Sequence, residues 1–201
     1  IISNKPKPCG RYGLNEMDDY LNTMNIKYDV LVVGELNVDV ILNHITKFPV
    51  VGEEVLAKGL TITLGSSSAI FASNLSTLGS SVSFIGKIGR DDFGDQIMTS
   101  LEAKGVNTQN IVRTDQYNTG VTIVLNFMED RANVTYPGAM HHLTIHDIAE
   151  KSLRRAKHLH VSSLFLQEGL HKDIIHLFRN AKELGLTTSI DPQWDPAGKW
   201  D

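Results

Sequence analysis

Apolar positions between residues 28 and 190 come in two rhythms, and the alternation of these rhythms predicts the fold. Continuous β-branched and aliphatic runs, such as VLVV at 30–33, read as strands covered on both faces of a parallel sheet. Strands are expected on this basis at 29–33, 82–87, 158–164 and 187–190, with a short one at 111–113. Helical spacing marks 67–78, 93–104, 144–155 and 170–184. In the second helix Phe93, Ile97 and Leu101 form an apolar stripe, Asp92 is placed to cap the start and Gly105 stops the end. Thr144 and Asp147 give the third a capping signature, and Gly185 follows the fourth.

Strand and helix alternate, so the fold class is α/β, a parallel sheet flanked by helices. Two regions break the alternation. Residues 38–64 read as extended chain at 38–42 and 54–64, and 120–127 with 131–137 read as a hairpin turned by Met128, Glu129 and Asp130. They hold too few helices for βαβ crossovers, so they are expected to form a small projecting β-sheet. Residues 1–26 mix Pro, Gly, Asn and charge around at most a short helix at 15–22. They are read as a tail outside the fold, which leaves 27–201 as the folded part.

Composition narrows the function. A chain of 201 residues, 41% hydrophobic and 21% charged, has the usage of one soluble globular domain. A net charge of −4 without a basic cluster argues against nucleic acid as partner. No apolar run approaches the ~18 residues of a membrane span, so no membrane partner is expected. Residues 1–15 are too polar for a signal peptide. Cys9 is the single cysteine, which fits a reducing, cytoplasmic setting.

Two constellations carry chemistry. After Gly34 ends the first strand, Asn37 and Asp39 alternate with Leu36, Val38 and Val40, which places amide and carboxylate on one face. Such a pair suits sugar hydroxyls, since the carboxylate accepts and the amide both donates and accepts. The same residues also suit a cap or turn. Gly65, Ser66 and Ser67 precede a helix, and a Gly/Ser loop there offers backbone N–H groups to a polar ligand. Ser162 and Ser163 interrupt an apolar strand at its C-terminal end, where ligands bind in open α/β sheets. Asp191 ends another strand, in IDPQWD, either to face phosphate or Mg²⁺ or to cap a turn before Pro192.

The order VVGELNVDVIL, FPVVGEEV, GSSSAIFASNLSTLG and FIGKIGRDDFG resembles the N-terminal half of ribokinase-like sugar kinases, the PfkB carbohydrate kinase family. The resemblance runs from about Tyr28 to Asp201, with Gly79 and Gly89 at the spacing of the family's first signature. It implies an ATP- and Mg²⁺-dependent kinase for a small-molecule sugar. Asn37 and Asp39 fall on positions that hold substrate hydroxyls, Gly65 to Ser67 on the substrate loop, and the projecting sheet on a lid. Thr119 with Gly120 and the stretch from Gly138 to Met140 fall near substrate or serve as hinges. The exposed edge of the lid is a natural surface for a homodimer.

The chain departs from the family at two loop positions. Ser66 stands where a second glycine is usual, and Ile70 where an asparagine is usual. The family's catalytic aspartate lies in a GAGD segment, which does not occur in these residues. The chain is therefore expected to be the N-terminal portion of a kinase, supplying the sugar site but not the catalytic base. The alternative is a non-catalytic sugar- or nucleoside-binding protein of the same fold. Arg90 and Arg131 are candidates for an acidic sugar, and Phe71 and Phe127 for a nucleoside platform. The eight histidines lack a metal-ligand pattern.

Overall fold

A computed structural model describes residues 26–200; the tail expected at the N-terminus lies outside the described residues but for Ile26. The chain runs β1 (Tyr28–Gly34), β2 (Asn37–Asn43), β3 (Gly59–Leu64), α1 (Ser67–Thr77), β4 (Val82–Ile85), β5 (Lys87–Gly89) and α2 (Asp92–Ala103). It continues through β6 (Val112–Thr114), β7 (Gly120–Phe127), β8 (Asp130–Tyr136), α3 (Glu150–Leu153), β9 (Ala156–Ser162), α4 (Glu168–His171), α5 (Ile174–Glu183) and β10 (Thr187–Asp191). Short 3-10 turns at Gly138–His142, Ile145–Asp147 and Leu164–Leu166 connect the later elements.

The main sheet has the order β10-β9-β1-β4 and every pair in it is parallel. Its inner strand β1 carries the apolar run Val30–Val33 because both faces are covered. Leu31 and Val33 enter one cluster with Leu159, Val161, Leu170 and Leu177. Val32, between them, enters the other with Phe84, Ile88, Ile97 and Leu101. A second sheet, β3-β2-β7-β8, collects the two regions that broke the alternation. Its central pair β2–β7 is parallel and its outer pairs are antiparallel.

Register sorts the second sheet into two unlike faces. Asp39, Thr122 and Thr135 lie across from one another, as do Ile41, Val124 and Asn133. The opposite face carries Val38, Val40 and Leu42, then Val121, Ile123 and Leu125, then Leu60, Ile62 and Val134. Period-two alternation therefore makes one face polar and the other apolar.

Several expected boundaries move, each for a visible reason. The strand expected at 82–87 breaks at Gly86, and β5 turns away to pair with β6. The cap of α2 is Asp91 rather than Asp92, with its carboxylate accepting from the Gly94 N–H at 2.8 Å. The helix expected at 144–155 is interrupted, because Ile148 turns extended and buries itself in the core. The helix expected at 170–184 splits, with Asp173 opening α5. The strand expected at 158–164 stops at Ser162 because Ser163 is left-handed, φ 51°.

Candidate functional site

The C-terminal ends of β1 and β9, the start of α1 and the polar face of the second sheet enclose a cavity of about 810 Å³. Its lining includes Asn37, Asp39, Ser66, Ser67, Thr122, Arg131, Asn133, Thr135 and Ser163. An apolar portion is supplied by Ile70, Val124, Phe165, Leu166 and Trp194. Such a mixture is what a small polar ligand with some apolar surface requires.

Asn37 and Asp39 reach one another along one face of β2. The Asn37 amide nitrogen donates to Asp39 Oδ1 at 2.9 Å and to Thr122 Oγ1 at 3.0 Å. Burial pushes the Asp39 carboxyl above its ordinary value, against the opposing effects of the Asn37 bond and the Arg131 charge. Gly65 explains why the loop fits behind them. A Cβ there would stand 2.3 Å from Asp39 Oδ1 and 2.6 Å from Asn37 Nδ2, so the loop passes only as glycine.

The next residue keeps a glycine-like backbone without being glycine. Ser66 has φ 71° and ψ 122°, a region that costs an L-residue energy. Two bonds hold it: its hydroxyl donates to the Glu35 carbonyl at 2.6 Å and accepts from the Ala69 N–H at 2.9 Å, capping α1. Beneath it Glu35 is 1% exposed. Glu35 Oε1 accepts from the Ser67 hydroxyl at 2.8 Å and the Ser68 N–H at 3.2 Å, and the Ser68 hydroxyl donates to Oε2. Desolvation raises the Glu35 carboxyl above its ordinary value despite these serine bonds. Ser67 Oγ also lies 2.9 Å from the hydroxyls of both Ser162 and Ser163.

The sequence-based candidates thus divide. Asn37, Asp39, Ser66 and Ser67 line one cavity, with Gly65 directly behind the first two and Ser162 behind Ser67. Ile70 lines it too, 46% exposed. Thr119 does not join them. It is 1% exposed, its N–H and hydroxyl donate to Asp91 at 2.7 and 2.6 Å, and it accepts from the Gly89 N–H. Asp191 is also engaged elsewhere: its carboxylate accepts from the backbone and side-chain N–H groups of Gln193, the turn-capping arrangement. Phe71 stacks on His160 and Phe127 packs against Phe48, so neither is a platform in the cavity. Arg90 pairs with Asp115, whereas Arg131 does line the cavity. Among the described residues no three His, Cys, Asp or Glu side chains gather as a metal site.

Sequence reasoning missed Glu35, Trp194 and Phe165. The only signal for Glu35 was an acidic residue directly after a buried strand, in VVGELN.

A parallel α/β sheet, a separate four-stranded sheet and a polar cavity between them form a candidate small-molecule site of the open α/β type. The pfkB family carbohydrate kinase pattern matches residues 27–200, and the chain belongs to that family. It is 32% identical to fructokinase-2 of Oryza sativa subsp. japonica over 132 residues, 64% of this chain and 39% of the rice protein. The fold superposes on Halothermothrix orenii fructokinase with a TM-score of 0.73 at 25% identity, covering 86% of this chain and 61% of the other. A fructokinase from Xylella fastidiosa, solved with bound ATP, shares the fold at TM-score 0.69 and 23% identity, with 85% and 54% covered. The chain thus spans less than two thirds of the length of each.

Proposed function

We propose that the full-length protein is an ATP-dependent sugar kinase, moving a phosphoryl group from ATP to a sugar hydroxyl, and that residues 27–201 supply its sugar site and lid. The observation that carries this is the Asn37–Asp39 pair, set in a cavity roofed by the polar face of the second sheet. Their carboxylate and amide oxygens are acceptors for adjacent hydroxyls. The second sheet acts as the lid that excludes water, so that the sugar rather than water takes the phosphoryl group. ATP use is supported by the related fructokinase solved with that nucleotide. Mg²⁺ enters with the nucleotide, where it offsets phosphate charge.

A homodimer is proposed through the lid. Support comes from its apolar face rather than its edge: Leu60, Ile62, Val134 and Tyr136 are exposed there. The cytoplasm remains the proposed setting, on the single cysteine of these residues.

The test is ADP formation by the full-length protein with Mg²⁺, ATP and D-fructose, D-ribose or 2-deoxy-D-ribose. Sugar-dependent ADP release is expected. Residues 1–201 alone, without a GAGD segment, are expected to show none. Robust turnover by these residues alone would place the catalytic base among them. Tight sugar binding by the full-length protein without turnover would favour the non-catalytic reading.

A further inference from the structure

We propose that Glu35, through Ser67, orients Ser163 so that its hydroxyl only accepts from the cavity, and that whatever sits on Ser163 must be a hydroxyl donor. This deepens the sugar-site reading and rests on it. One proton beneath the cavity cannot move. The Ser68 backbone N–H points at Glu35 Oε1 from 3.2 Å, and a backbone donor has no rotor. Oε1 is therefore an acceptor in either protonation state of Glu35. If Glu35 is neutral, its proton sits on Oε2 towards Ser68 Oγ, whose own hydrogen can turn to the Ser162 carbonyl at 3.4 Å.

The rest follows by counting. A serine hydroxyl has one proton and two lone pairs. Ser67, 2.8 Å from Oε1, gives its proton to Glu35. Its lone pairs then take the protons of Ser162 and Ser163, each 2.9 Å away. Ser163 lines the cavity and has only lone pairs left to offer it. Asn37 repeats the pattern, since its two amide protons go to Asp39 Oδ1 and Thr122 Oγ1, and its carbonyl oxygen carries no bond among the described residues. Asp39 completes the set as a carboxylate. Asp39, Asn37 and Ser163 thus present acceptors, the first two from β2 of the second sheet, where Arg131 of β8 supplies donors. A sugar edge with adjacent hydroxyls matches these acceptors. A carbonyl, carboxylate or phosphate would set lone pairs against lone pairs.

Fluorine reads this polarity, because it fills the place of a hydroxyl but cannot donate. The probe is whichever of D-fructose, D-ribose and 2-deoxy-D-ribose binds the full-length protein tightest, with its deoxy and deoxyfluoro analogues at each ring position. At the hydroxyl seated on Ser163, both analogues should lose at least tenfold in affinity and to the same extent. Ser163→Gly, at a φ of 51° that glycine adopts freely, should weaken the parent sugar about tenfold and leave those two analogues unchanged. Ser67→Ala releases the Ser163 proton to the cavity and should return several-fold affinity to the fluoro analogue alone. Glu35→Gln, with its amide oxygen in the place of Oε1, should keep the wild-type discrimination. A fluoro analogue that binds like the parent at every position, or a Ser67→Ala protein with unchanged discrimination, would overturn the acceptor role of Ser163 and leave the sugar site standing. Binding of none of the three sugars would overturn the sugar site and this inference with it.

Discussion

Two carboxylates in this chain are gripped by hydroxyls at the start of a helix, yet they titrate in opposite directions. Asp91 caps α2 and accepts from Gly94 N–H, Thr119 N–H and Thr119 O–H. Glu35 sits at the start of α1 and accepts from Ser68 N–H and from the hydroxyls of Ser67 and Ser68. Burial pushes both upward. For Asp91 the bonds from Thr119 and Gly94 and the Arg113 charge outweigh it, and the carboxyl is held below its ordinary value. Glu35 is almost wholly buried and has serines for partners, so desolvation wins. The difference lies in burial: the bonds outweigh desolvation at the less buried Asp91, and desolvation outweighs the bonds at Glu35. Asp91 is accordingly a clamp between α2 and the entry to β7, and Glu35 an organiser of hydroxyls at the cavity.

The largest effect is expected from breaking the clamp. Asp91→Ala leaves the buried Thr119 N–H and hydroxyl without their acceptor, at a cost of about 3 kcal/mol for a small group of lost charged bonds. The sign of the pH dependence follows from the lowered folded value. The Asp91 contribution is complete above the unfolded value, roughly 4, and is lost as pH falls through the folded one. Denaturant midpoints measured down the acid limb should therefore converge for wild type and Asp91→Asn. A constant offset at all pH values would show that the carboxylate charge is not what holds Thr119.

Asp39 lies between the two extremes, half-buried and raised, with Arg131 opposing the shift. Asp39→Ala in the full-length protein should remove charge-assisted bonds worth about 1.5–3 kcal/mol each, and so weaken sugar binding at least tenfold by calorimetry while melting is preserved. Unchanged affinity would assign Asp39 to holding Asn37 only.

Glu35→Gln sharpens the contrast. A raised folded value means that the native state holds its proton where the unfolded chain has lost it. Stability from this group is full below the ordinary Glu value and declines as pH rises towards the folded one. The amide can keep the Ser67 and Ser68 contacts without charge. The variant should match wild type at pH 4 and exceed it modestly at pH 8 in melting temperature. Equal slopes in both proteins would mean that Glu35 does not titrate on unfolding.

The contrast also marks how far the sequence could be read. Period-two spacing put Asn37 and Asp39 on one face, the alternation of runs marked the main sheet, and the break in it marked the hairpin. Thr122 was not legible, since it meets Asn37 across 85 residues through a parallel pair that no local pattern announces. Glu35 was missed because an acid after a strand looks the same whether solvent or three serines surround it. Thr119, read as near substrate or as a hinge, donates to Asp91, because a hydroxyl beside glycine at the sheet entry looks the same whether it faces a sugar or Asp91. Two departures from the family were legible as residues, and the structure shows what each does.

The first is Ser66, whose hydroxyl ties the Glu35 carbonyl to the α1 cap. Ser66→Gly would relieve strain of about 1–3 kcal/mol at φ 71°. Against that stand a few tenths for the cap, about 0.5–1 kcal/mol for glycine entropy and about 1 kcal/mol for the lost bond to the Glu35 carbonyl. A net change within about 1 kcal/mol of zero is expected, while Ser66→Ala, which keeps the strain and loses both the cap and that bond, should cost about 2 kcal/mol. Equal melting of both variants would show that the backbone there is relaxed.

The second is Ile70, and its effect should be the smallest. The side chain lines the Glu35 side of the cavity and is 46% exposed, so replacing it forfeits little packing. Ile70→Asn should shift stability by no more than about 0.5 kcal/mol, as for other substitutions away from the core. Its amide would bring a donor to the side of the cavity where Ser163 accepts, and a site that bonds a hydroxyl discriminates against substrates lacking it. Affinity for ribose- or fructose-like sugars should rise a few-fold in the full-length protein, with little gain for the corresponding deoxy sugars. Calorimetry and melting on the same samples separate the outcomes. A variant that melts several degrees earlier and gains no sugar would make Ile70 a packing residue and move the substrate away from α1.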